Sequence, residues 1–255
     1  MKDLLGRNFD FSTPPTRVVS LVPSLTETLF ELGAGDSVAG ITDFCIFPEG
    51  LERPRVGGTK NPHIDEIRAL APDLVYMNLE ENMERHAKQI AEFAEVFVTE
   101  PKSVDDVSDL ITTLGAIHQC VDKARELRDA LDHERGAIGA FTFAVPIWKK
   151  PWMWCGGDTY VSNLVESIGG RNVLHDRERY PSLALDEVLA HKPDIVFLPD
   201  EPYLFTAEDA AGIEGPRVIG PFPGHLFTWH GTRTILGLRF LRRVLPWERG
   251  RLDRD

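Results

Sequence analysis

Cysteine is scarce in this sequence: Cys45, Cys120 and Cys155 are the only three, and no two of them form a C-x-x-C pair. An odd number at such spacings excludes a disulfide framework and gives no sign of a thiolate zinc site. Long hydrophobic runs are also missing: nothing approaches the roughly 18 apolar residues of a membrane span. Residues 1–11 lack the apolar core of a signal peptide. We therefore expect no membrane insertion and, for the chain as written, a cytoplasmic location; a processed periplasmic protein would have the same sequence.

Basic residues are too few for a nucleic-acid-binding protein. Lysine and arginine number 28 against 40 aspartates and glutamates, which gives a formal net charge of −12. Binding to nucleic acid depends largely on neutralising phosphates, and a chain of this charge does that poorly. The composition, with 42% hydrophobic and 27% charged residues, is that of a globular protein. The length of 255 residues allows one large domain or two of ordinary size.

Sequence signatures of enzymes are mostly missing. Gly33–Gly35 lacks the spacing of a dinucleotide-binding loop, Gly57–Lys60 lacks that of a phosphate-binding loop, and no G-x-S-x-G motif occurs. The best candidate nucleophile is Cys155, which precedes Asp158 at a predicted strand-to-helix turn, because a helix N-terminus favours the thiolate. A buried, unreactive cysteine is the more common case. We therefore predict that the protein is not an enzyme, with a Cys155 enzyme as the less favoured alternative.

Most of the chain alternates short apolar strands with amphipathic helices. The segment from Arg17 to Val22 is a typical buried strand, and Ser24 with Glu27 three residues later predicts a capping box at the start of the next helix. Such alternation predicts an α/β fold with parallel sheets covered by helices. Between Ser103 and about Gly136 the spacing is helical only, enough for roughly 50 Å of helix at 1.5 Å per residue.

An internal repeat indicates two similar lobes. Residues 64–76 align with residues 185–197 at an offset of 121, with six identities in thirteen positions. Any parallel sheet reuses a helix, a Pro-Asp pair and a strand, so this match alone does not exclude a chance similarity. A second match, between residues 29–38 and 164–173, favours duplication. The predicted organisation is an N-terminal α/β lobe over residues 1–102, a helical linker with a backbone helix over 103–138, and a C-terminal α/β lobe over 139–255.

Aromatic residues cluster in two predicted loops of the C-terminal lobe. Loops at the carboxyl ends of parallel strands are where α/β sheets bind ligands, and flat rings give a large contact area at little cost in rotamer entropy. A single tryptophan more often packs inside a lobe, but together these rings favour a cleft for a large planar ligand. His225 or His230 could offer an imidazole to a metal inside such a ligand. The first group is Trp148, Trp152, Trp154 and Tyr160, and the second is Phe222, Phe227, Trp229 and His230.

Several motifs resemble those of the helical-backbone (class III) substrate-binding proteins of ABC importers, and in particular the vitamin B12 (cobalamin) receptors. The resemblance runs from about Arg17 to Leu245, with the motifs in the family's order. The matching stretches are RVVSLVPSLTETL from Arg17, GTKNPHIDEI from Gly58, APDLV from Ala71, NMER from Asn82, GGDTY from Gly156 and GGRNV from Gly169.

The resemblance implies two lobes joined by one rigid helix, here about Val121 to Ala137, with the ligand between the lobes. It implies a metal-containing chelate as ligand: a cobalamin-like corrinoid, haem or a ferric siderophore. It also implies docking to an ABC permease through an acidic residue on each lobe, for which Glu84 and Glu208 are the candidates. We expect a monomer without a resident cofactor and without a metal site of its own. A cytosolic protein that handles or senses a cofactor is the alternative.

The predicted ligand site has two walls. Pro23, Ser24, Phe44, Phe47 and Asn78 line one wall, and Trp148, Trp152, Trp154, Glu201, Tyr203, Trp229 and His230 line the other.

Overall fold

The computed structural model of this protein describes residues 3–245 and divides them into two compact units. Unit 1 holds residues up to 101, residues 105–130 and residues 230–233; unit 2 holds residues 102–104, 131–229 and those from 234 onward. The division thus departs from the predicted boundaries at 102 and 138, because the linker is shared between the units and four late residues join unit 1. The predicted α/β class with parallel sheets is confirmed.

Unit 1 is built on a four-stranded parallel sheet with the strand order β2-β1-β3-β4. All five residues of β3 are buried, as expected for an apolar strand covered on both faces. The strands are β1 (Val18–Ser20), β2 (Val38–Ile41), β3 (Leu74–Asn78) and β4 (Glu95–Thr99), and the helices are α1 (Pro23–Glu31), α2 (Ile64–Ala69), α3 (Glu84–Ile90) and most of α4 (Val104–Ile117) and α5 (Val121–Glu134).

Unit 2 has its own four-stranded parallel sheet, in the order β10-β9-β5-β8, and a two-stranded antiparallel ribbon of β6 and β7. Its strands are β5 (Phe141–Ala144), β6 (Pro146–Trp148), β7 (Met153–Trp154), β8 (Gly170–Asn172), β9 (Ile195–Pro199) and β10 (Arg217–Phe222), and its helices are α6 (Tyr160–Glu166), α7 (Leu185–Leu189), α8 (Ala207–Ala211), α9 (His225–Thr228) and α10 (Arg233–Val244).

The two sheets share one topology, which supports the predicted duplication. When β5, β8, β9 and β10 are matched to β1 to β4 in chain order, both sheets have the order second, first, third, fourth. The repeat extends to a hydrogen bond: the amide of Arg17 donates to Asp73 at 3.2 Å, and that of Thr142 donates to Asp194 at 2.7 Å. Each aspartate follows the proline of the repeated motif and fixes the start of the adjacent first strand.

The helical segment predicted between the sheets consists of two helices rather than one. Helices α4 and α5 have 14 residues each and are separated at Gln119, which has a φ of 57°. A β-carbon on Gly115 would lie 2.3 Å from that of Ala124, so only glycine allows the two helices to approach so closely. The chain passes from unit 1 to unit 2 within α5, the helix that corresponds to the predicted backbone helix. Within residues 3–245, no helix has the length and apolar character needed to cross a bilayer.

A buried hydrogen bond joins β3 to the residue that follows α4. The Tyr76 hydroxyl lies 2.9 Å from Nε2 of His118, and both side chains are buried. Burial lowers the pKa of His118 to about 4, so the ring is neutral at pH 7 and forms this hydrogen bond in its uncharged form. The unfolded chain would take up a proton on this histidine near pH 6.5.

We predict that His118 makes the protein less stable as the pH falls. Because the unfolded state binds its proton first, the free energy of unfolding should drop by about 3 kcal/mol through His118 alone between about pH 6.5 and pH 4. His118→Gln keeps an acceptor but does not titrate, so urea denaturation should show a shallower pH dependence in that variant. The exposed His133 provides the control, and His133→Gln should retain the parent slope. Equal slopes in all three proteins would contradict the prediction.

Candidate functional site

The carboxyl ends of the strands in unit 1 bring the first group of predicted site residues to one edge of the sheet. Pro23 and Ser24 begin the helix that follows β1, Phe44 and Phe47 lie in the loop after β2, and Asn78 ends β3. Since parallel strands point the same way, these connections leave the sheet at the same edge, which is where α/β sheets bind ligands.

Two of these residues are accessible and three are not. The side chain of Phe44 is 59% exposed, and Phe47 is half-buried. Pro23, Ser24 and Asn78 are buried. Of the predicted site residues, the accessible ones at this edge are therefore both aromatic.

Asn82 connects three loops at this edge, and sequence reasoning missed it. Its Nδ2 donates to the carbonyl of Leu21 at 3.1 Å and to that of Thr59 at 2.9 Å, while its Oδ1 accepts from the amide of Asn78 at 2.7 Å. These carbonyls and this amide belong to the connections that follow β1, β2 and β3. One buried side chain thus fixes the relative positions of all three connections.

His230 belongs to unit 1 and not to the opposite wall, where we had predicted it. Asn78 Nδ2 donates to His230 Nε2 at 3.2 Å, and Nδ1 of the ring lies 3.2 Å from the Ser24 hydroxyl. Burial lowers the pKa of His230 to about 4, so the ring is neutral and both nitrogens are engaged. The backbone turns here at Gly231, where a β-carbon would lie 2.2 Å from the hydroxyl oxygen of Thr28. A buried imidazole with this geometry is not placed to coordinate a metal.

The predicted capping box of α1 is wrong. The helix begins at Pro23, and no side chain caps its N-terminus. Instead, Glu27 receives two hydrogen bonds from the guanidinium of Arg233, including one of 2.8 Å from Nε. Burial raises the pKa of Glu27, and the charge and hydrogen bond of Arg233 oppose that rise. The flat face of Arg233 lies over Phe47, with 3.7 Å from the guanidinium carbon to the ring centre.

In unit 2 the predicted aromatic residues form a continuous series of ring contacts. Trp148 meets Tyr203 edge-on at 5.3 Å between ring centres, and Tyr203 contacts Phe205 at 4.8 Å. Trp152 stacks on Phe205 at 5.8 Å. Trp148 is 42% exposed, whereas Tyr203 and Trp152 are half-buried. The exposed ring therefore rests on a packed aromatic base.

Trp154 cannot contact a ligand as we had predicted. It is 0% exposed and belongs to the hydrophobic core of unit 2. Its ring stacks on Trp152 at 5.5 Å, and its indole N–H donates to the carbonyl of Leu183 at 3.0 Å. The apolar surface of the indole is therefore packed, and its N–H is hydrogen-bonded, inside the unit.

Glu201 and Trp229, also predicted for this wall, contact each other. Glu201 accepts a hydrogen bond from Thr228 Oγ1 at 2.7 Å and another from the Trp229 side chain. Burial raises the pKa of Glu201, and these hydrogen bonds oppose the rise. Trp229 is half-buried, so part of its ring faces solvent.

The environment of Cys155 does not favour catalysis. Its side chain is completely buried, while Asp158 is exposed and accepts a hydrogen bond from the amide of Arg179. A thiol enclosed in this way has no route to a substrate. Among residues 3–245, no group of three or more histidine, cysteine or acidic side chains is arranged to hold a metal ion.

The two predicted docking residues are both on the surface. Glu84 is the first residue of α3, and its carboxylate lies 2.8 Å from Lys88 Nζ, which lowers the pKa of Glu84. Glu208 is in the first turn of α8 and is exposed.

Comparison with known proteins gives one family and a consistent set of relatives. The model of the periplasmic binding protein family matches residues 18–215. A vitamin B12-binding protein of Vibrio cholerae is 23% identical over 198 residues, which cover 72% of this chain and 70% of that protein.

Solved structures show the same fold. The crystal structure of the periplasmic vitamin B12-binding protein of Vibrio cholerae has a TM-score of 0.74 at 20% identity and covers 89% of this chain and 95% of its own. A periplasmic haem-binding protein from Roseiflexus has a TM-score of 0.72 at 20% identity, with coverages of 88% and 95%.

We predict that Asn82→Ala destabilises the protein by about 2–4 kcal/mol, because the buried amide of Asn78 and the carbonyl of Leu21 lose their partner. Urea denaturation followed by circular dichroism measures the change. Asn8→Ala replaces an exposed asparagine and should change the free energy of unfolding by less than about 0.5 kcal/mol. A loss in Asn82→Ala no larger than in this control would show that the three loops do not depend on it.

Proposed function

Because the chain belongs to the periplasmic binding protein family, we propose that it binds a metal-containing chelate and delivers it to an ABC-type importer without transforming it. The ligand classes are a cobalamin-like corrinoid, haem or a ferric siderophore. The relatives named for vitamin B12 and haem support this range. In this proposal the chelate is cargo, and the protein has no resident cofactor.

The observation that carries the proposal is one exposed aromatic ring in each unit, on a connection that follows a parallel strand. Phe44 is 59% exposed after β2, and Trp148 is 42% exposed at the end of β6. Single exposed apolar side chains are common on soluble proteins; these two rings are singled out because each lies on a connection where α/β folds bind ligands. Planar rings of this kind fit the flat, partly apolar faces of a tetrapyrrole or a siderophore chelate.

We propose a smaller contact set than the sequence alone predicts. Trp154 and His230 are left out because they are buried, and Pro23, Ser24 and Asn78 are assigned a supporting role because they are buried too. The proposed contacts are Phe44, Phe47, Trp148, Trp152, Glu201, Tyr203 and Trp229. Phe44 and Phe47 are the proposed ring contacts of unit 1, unit 2 offers its rings and the Glu201 carboxylate, and His230 gives no axial bond.

The family supports a role in import rather than in catalysis. We propose that Glu84 and Glu208 dock on basic residues of a permease, and that the protein acts as a monomer. Both carboxylates are exposed and in the first turn of a helix. The relatives are periplasmic proteins, which favours that compartment over the cytoplasm. A cytosolic handling protein has no comparable support among them.

We predict saturable binding of at least one of three probes: cyanocobalamin, haemin and a ferric siderophore. Isothermal titration calorimetry, together with tryptophan fluorescence, measures the dissociation constant. Phe44→Ala and Trp148→Ala should each weaken binding by about fivefold to thirtyfold, which corresponds to roughly 1–2 kcal/mol for an aromatic contact.

Phe93→Ala is the matched control for these variants. Phe93 is a half-buried ring that precedes β4 and is therefore at the amino end of the strands. Its removal should leave the dissociation constant unchanged. Absence of heat with all three probes would refute the proposed function, and equal affinities in all variants would refute the proposed contacts.

A further inference from the structure

Arg233 has an unusual combination of contacts. Its guanidinium edge is paired with Glu27, and its face lies on the ring of Phe47. The Arg233 and Glu27 side chains are each only 6% exposed. The ion pair is therefore buried on both sides, and its arginine also stacks on an aromatic ring.

The buried pair is not explained by stability alone. Taking two charges out of water costs several kcal/mol per ion, and their attraction returns that cost only with good geometry. Apolar side chains of similar volume would fill the same space at least as well. What an apolar pair does not provide is a flat cationic surface fixed in orientation. Here the carboxylate of Glu27 fixes the edge of the guanidinium, so that its face is presented to the ring of Phe47.

The ring of Phe47 belongs to the loop that carries the most exposed of the proposed ligand contacts. The loop leaves β2 at Ile41, and its beginning is held by Arg55, whose guanidinium donates to the carbonyls of Thr42, Asp43 and Cys45 at 2.8, 3.0 and 3.2 Å. Arg233 holds the loop again at Phe47. Phe44 therefore lies between two positions that are each fixed by an arginine.

Arg233 itself is held in place by its neighbours in sequence. Thr232 donates from its amide to Thr28 Oγ1 at 3.1 Å, and His230 contacts Ser24 and Asn78. All of these partners lie on α1 or at the end of β3. The arginine is thus a rigid part of the sheet edge and does not need a ligand to order it.

We infer that Arg233 is a positioning residue for the ligand site, acting through the ring of Phe47 and not by touching the ligand. This inference rests on the proposed function for its effect on affinity. The arrangement of Phe47 itself is independent of any ligand. Loss of the guanidinium face should release the ring and the loop, and so weaken ligand binding by about tenfold.

A double-mutant cycle between Arg233→Met and Phe47→Ala tests the inference, with the dissociation constant of the best-binding probe as the measurement. Each single variant should bind about tenfold more weakly, and the double variant should bind no more weakly than Phe47→Ala alone. If the two changes weaken binding independently, so that their fold-changes multiply in the double variant, the inference is overturned.

Two further variants separate positioning from a general structural role. Arg233→Lys keeps the charge for Glu27 but removes the flat face, so it should bind as weakly as Arg233→Met while unfolding at a higher temperature than Arg233→Met, which leaves Glu27 unpaired. Arg68 is the matched control, because its guanidinium lies 4.2 Å from the ring centre of Phe93 and near Glu92. Arg68→Met should bind as the parent does. Parent affinity in Arg233→Lys would show that only the ion pair matters and would overturn the inference.

A readout without ligand keeps this test separate from that of the proposed function. With 4-fluorophenylalanine incorporated at position 47, the ¹⁹F resonance should shift and broaden in Arg233→Met and Arg233→Lys but not in Arg68→Met. If no probe binds and the resonance still moves, the positioning role stands and the proposed function fails. If the resonance does not move, the positioning role is wrong whether or not a probe binds. If Arg233→Met does not fold, the dissociation constant and the ¹⁹F resonance are both measured on Arg233→Lys.

Discussion

Parallel strands pair in the same direction, so all their carboxyl ends, and the loops that leave them, collect at one edge of each sheet. In this protein the pairing is fixed at the opposite edge by a repeated hydrogen bond, from Arg17 to Asp73 in unit 1 and from Thr142 to Asp194 in unit 2. The strand starts are thereby aligned without any contribution from the loops at the other end. Those loops can then vary in length and composition, and they carry the residues available for binding.

The two edges are made rigid by different interactions. In unit 1 the support is polar and directional: Asn82 joins three connections, His230 joins Ser24 to Asn78, and Arg233 pairs with Glu27. Buried polar groups must be paired, and each pair is satisfied in only one arrangement. In unit 2 the support is a series of stacked and edge-on rings from Trp148 to Trp154, whose contacts tolerate small rotations. The first edge is thus tied to a single geometry, and the second can adapt.

Sequence patterns that depend on neighbouring residues predicted the sheets well. The apolar strands and the Pro-Asp motif are local features, and with the repeat at an offset of 121 they predicted two similar lobes with parallel sheets. The shared strand order is known only from the structure. The prediction was wrong where a residue's partner lies far away in sequence. Ser24 and Glu27 have the spacing of a capping box, but their partners are 206 positions distant. A rule that uses only neighbouring residues cannot take such distant contacts into account, and it therefore predicts a cap.

The prediction for the aromatic residues has the same limit, because local composition does not show which ring is buried. Composition placed four tryptophans near a ligand, and the structure places Trp154 in the core and Trp148 at the surface, although only six positions separate them. The difference comes from the β6–β7 ribbon, which turns one ring inward to meet the carbonyl of Leu183 and leaves the other at the ribbon's end. A surface ring that is already packed on other rings loses less rotamer entropy on binding a ligand than a freely rotating one does. Trp154 therefore supports the exposed ring indirectly: it packs on Trp152, which stacks on Phe205, and Phe205 contacts Tyr203, which meets Trp148.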